Sequence, residues 1–418
     1  MNILYLCAFN PDPVSDGDRV RAKWTLTALA RRHMVYGFFL DPGGRGRLAT
    51  GTRALLAGAE LFPVPRRALA VGLLRALATG RSAHAYAFRS VAALRRLEAL
   101  VRKWPVEAAF VHRLRMMPYA EGLGMPYALD LTDSLGPYYR RERWASPVRA
   151  LYSAWECRRL AEYEVRSANR ARVVFAVSPR EAGGMRASGV IRPVVAAPNG
   201  VDCHYWASGA QRNAAHKNAA QRNAAQRNAA QKNAGRNRLG FMGNLGYPPN
   251  RDGLRWFARE VAPRMGGEGL REPVLVIGGG VPGTLANLRG PHGPVFEFRG
   301  FVPDPRPLLA RMAAFVCPLP FALGIQNKAL DAMAAGVPVV ATANVARGLG
   351  AVPGRDMLCA SSPTAFAAAV GRILARPREA DKMAQRARRF VTVRYGREAG
   401  ARALEAGVRV LEKAAAGK

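Results

Sequence analysis

Two hydrophobic patterns alternate along the chain. Short, mainly apolar runs occupy residues 2–9, 34–40, 61–64, 106–111, 127–131, 173–177 and 194–197; later ones open at Leu239 and fill 274–277, 314–317 and 337–341. Runs of this length fit strands covered on both faces, as in a parallel sheet. Between them apolar residues recur at three- and four-residue spacing, which predicts helices; the stretch from Trp24 to Arg32 follows the first run in this way. Strand and helix in alternation predict an α/β protein built from βαβ units. A chain of 418 residues exceeds one ordinary core, so two such domains are expected.

Residues 321–342 are the most informative stretch, reading as loop, short helix, tight turn and buried strand. Gly324 frees the backbone before the helix, Leu330, Met333 and Ala334 form one apolar face, and Gly336 with Pro338 ends it. A loop feeding a helix N-terminus offers backbone N–H groups and the positive end of the dipole, where phosphate sits well. Gly324, Ile325, Gln326 and Asn327 are therefore candidate phosphate-binding residues. Lys328 adds a full charge in the first turn, and Asp331, on the same face three residues on, is placed to accept from ribose hydroxyls. Together they predict a clamp for a nucleoside diphosphate; an ordinary helix–strand unit with a solvated Lys and Asp is the plainer reading.

Other motifs fall at predicted strand ends. Asp16-Gly17-Asp18 occupies the first loop, at the carboxyl edge where ligands bind in open α/β sheets, with Arg19 and Arg21 as candidate anion contacts. His112-Arg113 follows the 106–111 run, and Asp130-Leu131-Thr132-Asp133-Ser134 ends the next. Asn250 is placed to cap the helix through Trp256 and Phe257. Gly278 to Gly283 satisfies GxGxxG, but no acid ends the following strand, since Glu297 lies within it, so a tight strand–helix turn is expected there.

Gly-Ile-Gln-Asn-Lys at 324–328, followed by Leu-Asp-Ala-Met-Ala-Ala-Gly-Val-Pro-Val-Val at 330–340, resembles the donor-site helix of two-domain GT-B-fold glycosyltransferases. The likeness is to glycosyltransferase family 4, and within it to sugar transferases associated with PEP-CTERM-type exopolysaccharide systems, whose Gly-x-x-x-Tyr-x-Pro-Asn motif is similar to Gly243–Asn250. It covers nearly the whole chain apart from the repeat described below. The resemblance implies two Rossmann-like domains with parallel sheets facing across a cleft. Residues 1–200 would be the acceptor domain, 201–238 a linker, 239–385 the donor domain and 386–418 a helical segment packing back on the first domain. It implies sugar transfer from a nucleotide-sugar to a glycan or lipid-linked acceptor in exopolysaccharide biosynthesis, with retention, without metal and with no cofactor beyond the co-substrate.

Lys328 would be the catalytic cation and His112 a second catalytic candidate near the sugar, although a lone histidine at a strand end is more often structural. Gly243 and Asn244 would face the donor, and Phe301 and Val302 would cup its base through backbone atoms. Gly17 and Arg19 would form an acceptor or phosphate loop, while Asp130 and Asp133 would hold the acceptor; a turn glycine and a helix-capping acid compete with these. The chain departs from the family at Leu323 and Asp331, where many members carry glutamates, and at Asn244 and Pro249, where Arg and Lys are usual.

Charge qualifies the picture. The chain carries 63 Lys and Arg, only eight of them Lys, against 29 acids, a formal net charge of +34. Arg with abundant Ala and Gly fits GC-rich coding, yet the surface will still attract polyanions and acidic membranes. Residues 62–105 hold nine basic residues against Glu98, with Leu69, Leu73 and Leu77 at helical spacing. An anionic membrane surface is therefore a candidate partner, and ordinary half-buried helices fit the pattern equally well. From Ala210 a five-residue unit of the AQRNA type repeats to residue 234 without an apolar stripe, as expected of a solvated linker insertion. The five cysteines lack CxxC spacing and the histidines form no metal pair. No run suggests a membrane helix and the N-terminus reads as a strand rather than a leader, so a cytoplasmic location is expected, with peripheral attachment to the inner membrane face. A GT-B-fold epimerase and a basic nucleic-acid or membrane-surface binder are the rival classes; no specific nucleic acid is expected, because interleaved aromatics and known binding signatures are missing.

Overall fold

The computed structural model describes residues 1–14, 16–44, 46–132, 147–207, 238–265, 272–280, 283–290, 293–321 and 324–417. Asp133, Leu323 and the 210–234 repeat lie outside the described residues. The chain forms two compact units, Met1–Asn199 with Gly400–Lys418, and Gly200–Ala399.

The first unit is built on seven strands: β1 (Asn2–Cys7), β2 (Met34–Pro42), β3 (Gly58–Val64), β4 (Ala108–His112), β5 (Tyr127–Thr132), β6 (Val173–Ala176) and β7 (Val194–Ala196). They run parallel in the order β3-β2-β1-β4-β5-β6-β7. Ile3 to Cys7 are all fully buried, as the apolar run requires, and successive residues serve opposite layers. Leu4 and Leu6 pack with Val111 and Leu129 on one face; Ile3, Tyr5 and Cys7 pack with Phe110 and Phe175 on the other. Helix α1 (Gly17–Leu29) follows β1, its N-cap Asp16 accepting from the Arg19 N–H at 3.0 Å. Helices α2 (Arg66–Ala78) and α3 (Pro147–Arg170) also belong to this unit.

The second unit repeats the plan with β8 (Arg238–Met242), β9 (Val274–Ile277), β10 (Phe296–Phe298), β11 (Met312–Cys317), β12 (Val339–Ala341) and β13 (Leu358–Cys359). These are parallel in the order β10-β9-β8-β11-β12-β13. In both sheets the strand order reverses direction once, between β1 and β4 and between β8 and β11. Loops on either side of such a switch point diverge and leave a crevice at the carboxyl edge.

Two boundaries differ from those expected. Residues 201–207, expected in the linker, are part of the second unit: the Val201 N–H donates to the Tyr395 carbonyl at 2.7 Å and Trp206 packs on that unit's core. At the other end, helix α5 (Pro377–Tyr395) stays with the second unit because Phe390, Val391 and Tyr395 fill its core. The return to the first unit starts at Gly400 rather than at 386, within α6 (Arg397–Ala415), whose Leu404, Val408 and Leu411 pack beside Tyr5 and Phe110.

Candidate active site

Helix α4 (Asn327–Ala334) follows β11 at the second unit's switch point. Leu330, Met333 and Ala334 are fully buried, which fixes the helix rotation and leaves Lys328 and Asp331 partly accessible. Gly324 turns the preceding loop with φ +59, a conformation that side chains rarely tolerate. Gln326 is the N-cap residue, yet it provides no side-chain cap. Its side chain is turned instead to Lys328, whose Nζ donates to Gln326 Oε1 at 3.0 Å and to Asn250 Oδ1 at 2.8 Å.

Both partners of Lys328 are neutral amide oxygens. Burial lowers its ammonium below the ordinary lysine value. A partly desolvated cation with no carboxylate beside it among the described residues, at the positive end of a helix, has the chemistry of an anion site.

The glycine loops after β8 and β9 form the adjoining wall. Gly243 lies so close to α4 that a Cβ there would stand 3.1 Å from Lys328 Cε and 2.9 Å from Asn250 Nδ2. Gly278, at φ +144, has only 2.0 Å between the place of a Cβ and the Gly243 carbonyl oxygen, so the two loops can touch only as glycines. The expected strand–helix turn at 278–283 thus serves as a spacer in the site wall, with Val281 and Pro282 outside the described residues. Asn244 accepts from the Gly246 N–H through Oδ1 at 2.8 Å, closing its own loop, while its carbonyl accepts from Asn250 Nδ2 at 2.7 Å. Asn250 was expected to cap the helix Pro248–Trp256; Tyr247 holds that position, and Asn250 bridges the first glycine loop to Lys328 from inside the first turn.

Asp331 faces the 201–207 segment. Burial pushes its carboxyl up to about 7, and the Trp206 indole N–H, bonded to it, draws it partly back. Val302 and Ile325 pack on the same core cluster as Trp206, whereas Phe301 is exposed. The loop beyond Val302 is braced by Arg306, which pairs with Asp304 at 2.7 Å and lies 4.1 Å over the Tyr205 ring. Asn250 and Trp206 were not among the sequence candidates; the paired aromatics Tyr205-Trp206 just before the repeat were the available signal.

In the first unit the candidates divide. Asp130 and His112 are fully buried. Asp130 binds Arg21, itself fully buried, through Nε at 2.8 Å and Nη2 at 3.1 Å, and stands 3.4 Å from His112 Nδ1. Although burial raises its carboxyl, the Arg21 guanidinium holds it well below the usual range. Tyr5 stacks on His112 and Phe9 meets its ring edge-on. Both residues thus have an internal role and expose no surface to an acceptor or sugar.

Gly17 is exposed at the start of α1, and Arg19 is engaged by Asp16 and by the Asn10 carbonyl at 3.1 Å. At the switch point a cavity of about 110 Å³ is lined by Phe9, Asp18, His84, Arg113, Arg115 and Glu164. Arg113, at φ 69, forms an ion pair with Asp18, and burial together with Arg115 pushes His84 down to about 3. His84 and Arg115 carried no signal in the sequence, because nothing in their spacing indicates that they meet. Among the described residues no group of His, Cys, Asp or Glu has the arrangement to hold a metal ion.

Residues 236–376 match the model of the family described as glycosyl transferases group 1. Over these residues the second unit is similar to that family, in line with the enzyme class expected from the sequence, a glycosyltransferase. Solved structures similar to the whole chain place the fold as GT-B. Anabaena HepE in complex with UDP and glucose is 15% identical with a TM-score of 0.65, over 98% of this chain and 99% of that one. Sucrose-phosphate synthase from Thermosynechococcus elongatus is 16% identical with a TM-score of 0.72, over 99% and 100%. The α,α-trehalose 6-phosphate synthase of Burkholderia multivorans is 14% identical with a TM-score of 0.61, over the full length of both chains. No curated protein sequence gives a significant match. No helix among the described residues is long and apolar enough to cross a membrane.

Proposed function

We propose that the chain transfers a sugar from a UDP-sugar to a glycan or lipid-linked acceptor in exopolysaccharide biosynthesis, of the PEP-CTERM-associated type, with retention and without metal, at the cytoplasmic membrane face. The observation that carries this reading is Lys328, a partly desolvated ammonium whose hydrogen bonds among the described residues go to neutral amides, at the N-terminus of α4. The diphosphate of the donor supplies the missing counter-charge. As the glycosidic bond breaks, negative charge grows on the leaving phosphate, and groups already aimed at it lower the barrier without reorganising. Asp331 takes the ribose hydroxyls, Val302 and Ile325 flank the base, and the arginine-lined cavity of the first unit receives the acceptor. HepE, a GT-B structure solved with UDP and glucose, supports UDP as the carrier.

Ribose hydroxyls donate far more strongly to Asp331 when it is ionised, and burial pushes its carboxyl up to about 7. UDP-glucose has no proton to lose in this range, so calorimetry reads the protein alone. Its Kd is expected to fall about tenfold between pH 6 and pH 8, as the ionised fraction rises. Asp331→Asn should flatten the profile. The unliganded fold has the opposite trend: a carboxyl with a raised pKa loses stability as pH climbs from about 4 through about 7. Equal affinity at both pH values would remove Asp331 from the ribose, and no binding by UDP-glucose while another nucleotide-sugar binds would replace the carrier.

A further inference from the structure

Helix α2 presents its side chains in the reverse of the usual order. Among its described residues the two that are buried are small, Gly72 and Ala76, the latter 2% exposed. The approach is close, since a Cβ on Gly72 would lie 2.2 Å from the Ala87 carbonyl oxygen. Four of the five large apolar side chains face outward instead, with Leu74 66% exposed, Val71 45%, Leu77 40% and Leu73 38%, while Leu69 packs on the core. A helix packed for solubility alone buries its leucines and exposes its small and charged residues. No acid interrupts α2, and Arg67 and Arg75 are exposed on it. Helix α3, whose Glu156 accepts from the Ala83 and His84 amides just beyond α2, adds exposed Leu151 and Tyr152.

We infer that the outer face of α2 inserts into an anionic lipid leaflet, with Leu74 as its deepest anchor. The inference builds on the membrane location proposed above and names the surface that achieves it; the sugar-transfer chemistry is not needed for it. Charge decides between this occupant and a second copy of the chain. Two copies would bring the same arginines together without a compensating acid, whereas an anionic leaflet accepts the leucines into its acyl boundary and the guanidinium groups among its headgroups.

The test is co-sedimentation of the whole protein with vesicles of phosphatidylglycerol and phosphatidylcholine, and with phosphatidylcholine alone. Wild type should partition onto the anionic vesicles and poorly onto the zwitterionic ones. Leu74→Glu, a change at an exposed position, should weaken partitioning about tenfold or more, which corresponds to roughly 1.4 kcal/mol. The thermal shift given by UDP-glucose should be the same in both proteins, which separates this surface from the donor site. No binding of wild type to anionic vesicles would overturn the membrane location itself. Equal binding of wild type and Leu74→Glu would overturn the assignment to α2 alone. A lipid-free dimer that Leu74→Glu abolishes would make the second copy the occupant.

Discussion

Lys328→Ala is expected to lower the turnover number by about two to three orders of magnitude, the usual effect of removing one preorganised group facing a leaving anion. The fold should survive, because Lys328 donates to two neutral amide oxygens, Asn250 Oδ1 and Gln326 Oε1, and its removal leaves no charge unpaired. Lys328→Arg should recover little. A planar guanidinium does not reproduce the compact ammonium that sits between Asn250 Oδ1 and Gln326 Oε1. Steady-state turnover measured beside a melting curve separates chemistry from stability. Full activity in Lys328→Ala would remove the cation from the mechanism.

Arg21→Met is expected to cost the first unit about 3–5 kcal/mol, since it leaves the Asp130 carboxylate buried without its counter-charge. At this size the melting temperature should fall by about 10 °C. Arg21 also donates to the Ala197 carbonyl at 2.5 Å and to Asn199 Oδ1 at 3.2 Å, so the change loosens the end of the unit as well. Asp130→Leu in the same protein should restore part of the loss, because an apolar pair leaves no orphan charge. The sign with pH follows from the depressed carboxyl: the pair stabilises fully above pH ~4 and fades only in stronger acid. A melting point unchanged by Arg21→Met would show that the pair is incidental.

The sheets were legible because strands covered on both faces are apolar almost throughout, and such runs as 173–177, 274–277 and 314–317 have no other economical reading. The turn that opens α4 was legible for a local reason: Gly324, Lys328 and Asp331 lie within two helical turns, where spacing fixes the shared face. What escaped depends on distance in sequence. Arg21 and Asp130 are 109 residues apart, and no local pattern states that an arginine named as an anion contact will instead neutralise an acid named as an acceptor contact. Trp206 reaches Asp331 from beyond the other side of the repeat. For α2 the leucine spacing was visible, but which side faces the protein was decided by the close approach of Ala87 to Gly72, a tertiary contact.

The central claim is that the turn from Gly324 to Lys328 receives the donor's diphosphate. A crystal structure of the protein with UDP tests it most directly. The expected result is a diphosphate against the amides of residues 325–327, with an oxygen within about 3 Å of Lys328 Nζ, a charge-assisted hydrogen bond. A diphosphate seated elsewhere, with Lys328 still bonded only to Asn250 and Gln326, would contradict the account.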